Sequence, residues 1–179
     1  MIKLPRLQKV NSRKKILLLS DDLRLTSGIA TMSREIVMGT CHRYSWVQLA
    51  AALNHPDHGK VFDMSDEIAK ETGVVDPYVK LYSHTGYGNP NVLRELIQLE
   101  KPDAIMFFTD PRFWDWLFLM EYEIHHTYRL PLIYYNIWDC PPHPRWNFAA
   151  YKTCDLIMNI SKQTHALVEG VLGPNCEKI

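Results

Sequence analysis

Lys15-Ile16-Leu17-Leu18-Leu19-Ser20-Asp21-Asp22, followed by Thr26-Ser27-Gly28-Ile29-Ala30, decides the fold. Ile16 to Leu19 form a short unbroken apolar run, the signature of a strand buried on both faces in a parallel sheet. The run ends on charged residues, and Ser27-Gly28 leads into a segment with apolar residues at Ile29, Met32, Ile36 and Val37. That spacing describes one face of a helix. A buried strand, a polar exit and a glycine-led helix make the opening unit of an α/β protein.

The same alternation continues along the chain. Residues 44–53 predict a second strand, 54–77 a polar, punctuated stretch with a short helix over 66–71, and 79–82 a brief third strand. A glycine-containing loop over 83–90 precedes a helix over 91–100 that buries Val92, Leu93, Leu96 and Ile97. Residues 104–108 form the next strand, followed by one long aromatic helix over 112–126. A strand over 131–138, a helix over 145–153, a strand over 155–160 and a helix from Ser161 to Gly173-Pro174 complete the pattern. The expected fold is Rossmann-like: a doubly wound, mostly parallel sheet with helices on both faces. Its expected division is a flexible basic leader over 1–14, the domain itself over 15–173, and the start of a crossover over 174–179.

Composition narrows the function classes. The chain has 179 residues, 46% hydrophobic and 22% charged, which is ordinary for a globular protein. Lys plus Arg and Asp plus Glu are equal at 20 each. Phosphate-driven nucleic-acid binding is therefore demoted, since it usually needs a basic excess. The apolar stretch around 116–120 falls short of the roughly 20 residues of a membrane span, and the N-terminus lacks the apolar core of a secretory signal. Cys41, Cys140, Cys154 and Cys176 show no paired spacing and read as free thiols of a cytoplasmic protein. His55 with His58 and His125 with His126 read as surface histidines rather than metal ligands.

Ligands of such sheets bind at the C-terminal ends of the strands, near the reversal of strand order. The expected rim therefore includes Asp21-Asp22 with Ser27-Gly28, then residues 83–89 including His84, then Asp110, then Trp138-Asp139-Cys140, then Ser161-Lys162. Gly28 at a strand-to-helix turn would let backbone amides approach an anion. Asp110, delivered by a short apolar strand, would accept a proton from a substrate hydroxyl. Its competing role is to cap the helix that Pro111 starts. The aromatics Phe113, Trp114, Trp116, Phe118 and Tyr122 read as core, whereas Trp138 and Trp146 flank a proline-rich rim loop.

In this order the segments resemble the N-terminal half of a two-domain GT-B glycosyltransferase of the retaining, family-4-like kind. The resemblance is carried by 15–20 with Ser27-Gly28-Ile29-Ala30, by Lys101-Pro102-Asp103-Ala104-Ile105, by 131–135 followed by Asp139, and by Cys154-Asp155-Leu156-Ile157 running on to Ser161. It implies a glycosyltransferase that moves a sugar from a nucleotide-sugar donor to an acceptor hydroxyl, with no metal and no cofactor beyond that co-substrate. Ser27 and Gly28 would lie by the donor diphosphate. Asp110 would be catalytic, and Asp139, His84 and Trp138 would contact a sugar, glycan or lipid acceptor. A C-terminal donor-binding domain, in cis or in trans, would complete the enzyme, so the chain alone is expected to be inactive. The basic N-terminus would suit contact with an anionic membrane surface. Two competing classes are a non-catalytic α/β binding subunit and a receiver-type signalling module, the latter built on Asp21-Asp22, Asp110 and Lys162.

Overall fold

The computed structural model describes residues 12–174 and 176–179. The first strand, β1 (Lys14–Asp21), is followed by α1 (Gly28–Thr40), β2 (Tyr44–Ala52), β3 (Val61–Asp63) and α2 (Ser65–Thr72). Next come β4 (Val79–Thr85), α3 (Pro90–Glu100), β5 (Ala104–Phe107) and α4 (Asp115–Phe118). The chain ends with β6 (Leu132–Asn136), α5 (Phe148–Thr153), β7 (Leu156–Asn159) and α6 (Lys162–Leu172).

These strands form one seven-stranded sheet in the order β3-β4-β2-β1-β5-β6-β7. Every pairing is parallel except that of β3 with β4. Removing β3 leaves the doubly wound order of two half-sheets diverging from the β1–β5 boundary. Alternation of side chains along β1 divides the core accordingly. Leu17 and Leu19 join Leu93, Phe107, Trp114 and Tyr151 on one face. Ile16 and Leu18 join Val37, Ile68 and Phe108 on the other. The expected α/β class with helices on both faces is the one observed.

Three local expectations give way to tertiary packing. Helix α1 buries Ala30, Ser33 and Val37, while Met32 is exposed. Small residues let the helix approach the sheet closely, and the Ser33 hydroxyl lies 3.0 Å from that of Ser20. The single helix expected over 112–126 is broken into a 3-10 turn (Pro111–Trp114), α4, and a π-helical turn (Glu123–Thr127). Trp114, Leu117 and Met120 are all buried at spacings of three, and Ile124 follows at four. Strand β3 falls within the polar stretch expected over 54–77, where three residues with an exposed face carry no period to read.

The leader expected over 1–14 lies outside the described residues as far as 11. Arg13 and Lys14 instead belong to the fold. The Arg13 guanidinium donates to the carbonyls of Asp76 and Val75, and Lys14 pairs with Asp103 at 2.7 Å. At the other end, Ile157 of β7 donates to the Lys178 carbonyl at 2.7 Å.

The edge of the sheet where strands begin is pinned by carboxylates. Asp103 accepts from the Lys15 N–H at 2.8 Å, and its own N–H donates to the Lys15 carbonyl at 2.7 Å. Asp155 repeats the device on β6, accepting from the Leu132 N–H at 2.7 Å and donating to its carbonyl at 2.8 Å. Each closes a ladder end that would otherwise leave a backbone donor unpaired. Glu100 is buried beside them, paired with Lys15 at 2.7 Å and accepting from the Tyr78 and Tyr82 hydroxyls. Burial raises its pKa, but these three partners outweigh it and hold the carboxyl below its usual value. Asp103→Ala and Asp155→Ala should each lower stability by about 1 kcal/mol, read from the urea midpoint. Unchanged midpoints would show that the ladder ends need no side-chain partner.

Candidate functional site

All parallel strands exit on one edge of the sheet, so the expected rim residues converge there. Between β1 and β5 the connections leave in opposite directions, the place where sheets of this kind have their crevice. Ser27 caps α1, its Oγ accepting from the Ala30 N–H at 3.0 Å and donating to Asp21 Oδ2 at 2.8 Å. The space at Gly28 is open, since an added Cβ would meet nothing within 4 Å. Asp21 also accepts from the Tyr87 hydroxyl at 3.2 Å. Burial, then the Asp21 and Asp110 charges, push that phenol up to about 12. The Tyr87 ring stacks on Phe113 with centroids 4.5 Å apart. Gly88, next in the chain, has φ 78°, and a Cβ there would come within 2.7 Å of Leu49. Only glycine lets this loop deliver Tyr87 to the crevice.

Asp22 has a different role from the one its position suggested. Its side chain has no exposed surface. Arg24 grips it through Nε and Nη2, with a shortest distance of 2.7 Å, and the Arg24 N–H donates to Oδ1 at 2.8 Å. His55 Nε2 lies 2.8 Å from Oδ2, while His55 Nδ1 accepts from the Asp57 N–H at 3.0 Å. The latter bond places the imidazole proton on Nε2, facing Asp22. Both ring nitrogens are thus committed within the protein. Arg24 continues to the Ser83 hydroxyl at 3.0 Å and to Asp57 at 3.4 Å, and lies over the Phe62 ring. This knot ties the exit of β1 to the loop after β2 and to the end of β4. Only the charge directly behind a buried run, with His55-Pro56-Asp57-His58 downstream, could have signalled it.

Beyond the crevice, Asp110 performs the capping role. It accepts from the Arg112 N–H at 2.9 Å, and the Arg112 guanidinium clamps both carboxylate oxygens. Burial raises the Asp110 pKa, but the Arg112 side chain and N–H outweigh it and hold the carboxyl below its usual value. Asp110 lines a cavity of about 140 Å³ with Tyr134, Ile137, Trp138, Asp139 and Cys140. Trp138 is held there by its indole N–H, which donates to the Cys140 carbonyl at 2.8 Å, and by the Arg112 guanidinium 5.6 Å above its ring. The structure thus brings Asp110, Trp138 and Asp139 together.

His84 is not with them. It lines a separate cavity of about 260 Å³ between α3 and the β3–β4 pair, edge-on to His58 at 4.9 Å. Ser161 caps α6 through the Thr164 N–H, a structural duty. Of the five aromatics expected in the core, Trp114 is fully buried, Trp116 and Phe118 are half-buried, and Phe113 and Tyr122 are exposed. The four cysteines are free thiols. Among the described residues, no group of three or more His, Cys, Asp or Glu is arranged to hold a metal ion, and no helix is long and apolar enough to cross a membrane. Comparison with protein-family models and with curated proteins finds no match to this chain.

Asp22→Ala should destabilise the protein by about 3 kcal/mol, because Arg24 and His55 lose their shared buried partner. Burial raises the Asp22 pKa, but Arg24 and His55 outweigh it and lower it on balance. Its stabilisation is therefore in place above the unfolded pKa of about 3.9 and is lost as pH falls through the folded value. Chemical denaturation from pH 7 to pH 3 reads both effects, and an acid limb that the variant retains in full would contradict the assignment. In Arg112→Ala the Asp110 carboxyl should titrate at higher pH than in the parent protein, measured by carboxyl-carbon NMR. An unmoved titration would mean that Arg112 does not hold it down.

Proposed function

We propose that this chain is the acceptor-side domain of a retaining, metal-independent glycosyltransferase of the GT-B type, working with a donor-binding domain supplied in cis or in trans. The observation that carries this reading is the reversal of strand order between β1 and β5. An open, Ser27-capped helix start lies on one side of it and the Asp110–Trp138–Asp139 cavity on the other. The two flanks differ in chemistry, as a two-substrate cleft requires.

In this reading the α1 N-terminus faces the diphosphate of a nucleotide sugar. The first-turn N–H groups and the helix dipole favour negative charge, and Gly28 leaves the approach clear. An acceptor hydroxyl enters beside Asp110. The acceptor oxygen bonds to the anomeric carbon as the bond to the diphosphate oxygen breaks, and the amides stabilise the leaving charge. The hydroxyl proton passes to Asp110, whose carboxylate the Arg112 clamp keeps ionised. A cytoplasmic setting fits the four free thiols.

A second reading, a non-catalytic binding subunit, draws on that same clamp, which keeps Asp110 fully engaged. The receiver-type module loses support, since Asp22 is sealed by Arg24 and His55.

Amide chemical-shift mapping with UDP- and GDP-sugars should move Ser27 to Ile29, while simple sugar acceptors should move Asp110, Trp138 and Asp139. No shift at either flank would remove the transferase reading. In protein supplied with a donor-binding domain, Asp110→Asn should lower turnover by about 100-fold with the fold intact. Near-normal turnover would leave Asp110 as a cap alone. Gly28→Ala should leave stability within about 1 kcal/mol of the parent while weakening nucleotide-sugar binding; binding at parental strength would put the diphosphate elsewhere.

A further inference from the structure

A second concavity adjoins the Asp110 cavity and has no part in the reading so far. It is a cleft of about 500 Å³ between the Pro111–Phe118 segment and the start of α5, lined by Arg112, Asp115, Phe118, Trp146, Asn147 and Ala150 among others. Two contacts join the spaces. Arg112 walls the cleft while clamping Asp110 of the smaller cavity. Trp146 walls the cleft while its ring meets that of Trp138 edge-on, with centroids 5.7 Å apart and planes at 72°. The two tryptophans thus form a corner shared by both spaces.

Trp146 keeps 59% of its surface exposed, whereas Trp114 on the facing segment is completely buried. An indole held at the mouth of a concavity adds little to the core and offers a flat apolar face to a ligand. The polar groups around it select the ligand class. Arg112 is already neutralised by Asp110, and Asp115 adds a carboxylate, so the surroundings do not attract phosphate or another polyanion. A fatty chain would take the Asp115 carboxylate and the Arg112–Asp110 pair out of water with nothing in return, which is costly. A sugar ring has one face of C–H groups for the indole and a rim of hydroxyls for the Asp115 carboxylate and the Arg112 guanidinium.

We propose that this cleft is a second saccharide subsite, continuous with the Asp110–Trp138 cavity, so that the ligand is a neutral glycan of at least two rings. The proposal rests on the acceptor-side reading and narrows its sugar, glycan or lipid acceptor to a glycan.

The test titrates the full chain with gluco-, manno- and N-acetylglucosamine oligomers of one to four rings, reading tryptophan fluorescence and the indole N–H signals. Affinity should rise about tenfold from one ring to two, with the Trp146 indole signal shifting only for the longer ligands. Trp146→Ala should abolish that rise and Trp146→Phe should keep part of it. Because the side chain is exposed, both variants should fold, which circular dichroism checks. A rise that survives Trp146→Ala, equal affinity for one and two rings, or no binding of any oligomer overturns the subsite. Nucleotide-sugar shifts at Ser27 to Ile29 report the acceptor-side reading independently: their presence without an oligomer effect sinks the subsite alone.

Discussion

Strand β1 is hydrogen-bonded on both flanks, to β2 through Lys14 to Asp21 and to β5 through Ile16 to Leu19, and is buried on both faces. Such a strand cannot slide, because a one-residue slip would exchange Leu17 and Leu19 with Ile16 and Leu18 between two different helical layers. Charge fixes both of its ends. Asp103 holds the start through the Lys15 backbone, and Asp22 holds the exit through Arg24 and His55. Everything that converges on the crevice takes its position from this strand.

The two edges of the sheet are consequently unlike. At the entry edge, Asp103, Asp155 and Glu100 meet backbone donors, two lysines and two tyrosine hydroxyls, all in duties the fold itself requires. At the exit edge, several groups exceed what the fold requires: open space at Gly28, exposed Trp146 and Phe113, and a cavity beside Asp110. This division bears on the family resemblance. Asp103 and Asp155, two residues that carry it, are register pins, and Ser161 is a helix cap. Their duties are structural, and any chemistry is left to the exit loops.

The sheet was legible in the sequence because unbroken apolar runs such as Ile16 to Leu19 have one economical home, a parallel sheet covered on both sides. The positions of Asp110, Trp138 and Asp139 followed from the rule that strand exits face one way. Other features depend on contacts between segments far apart in the chain. The Asp22 knot joins residues 33 positions apart, and nothing local marks His55 as the partner of Asp22. His84 reads in the sequence as a residue just past a strand, like Asp110, yet it lies within β4 and lines a cavity on its α3 side. The break of the 112–126 segment into a 3-10 turn, α4 and a π-helical turn has no marker in its sequence, where Trp114, Leu117, Met120 and Ile124 read as one helix face.

Ligands that engage the exit edge alone would leave a one-sided trace in amide hydrogen exchange measured with and without a nucleotide sugar plus a two-ring glycan. Exchange should slow in 27–30, 109–113 and 136–147, with the entry-edge amides of Lys15 and Leu132 unchanged. Protection centred on the entry edge, or none anywhere across the ligand panel, would contradict engagement at the exit edge.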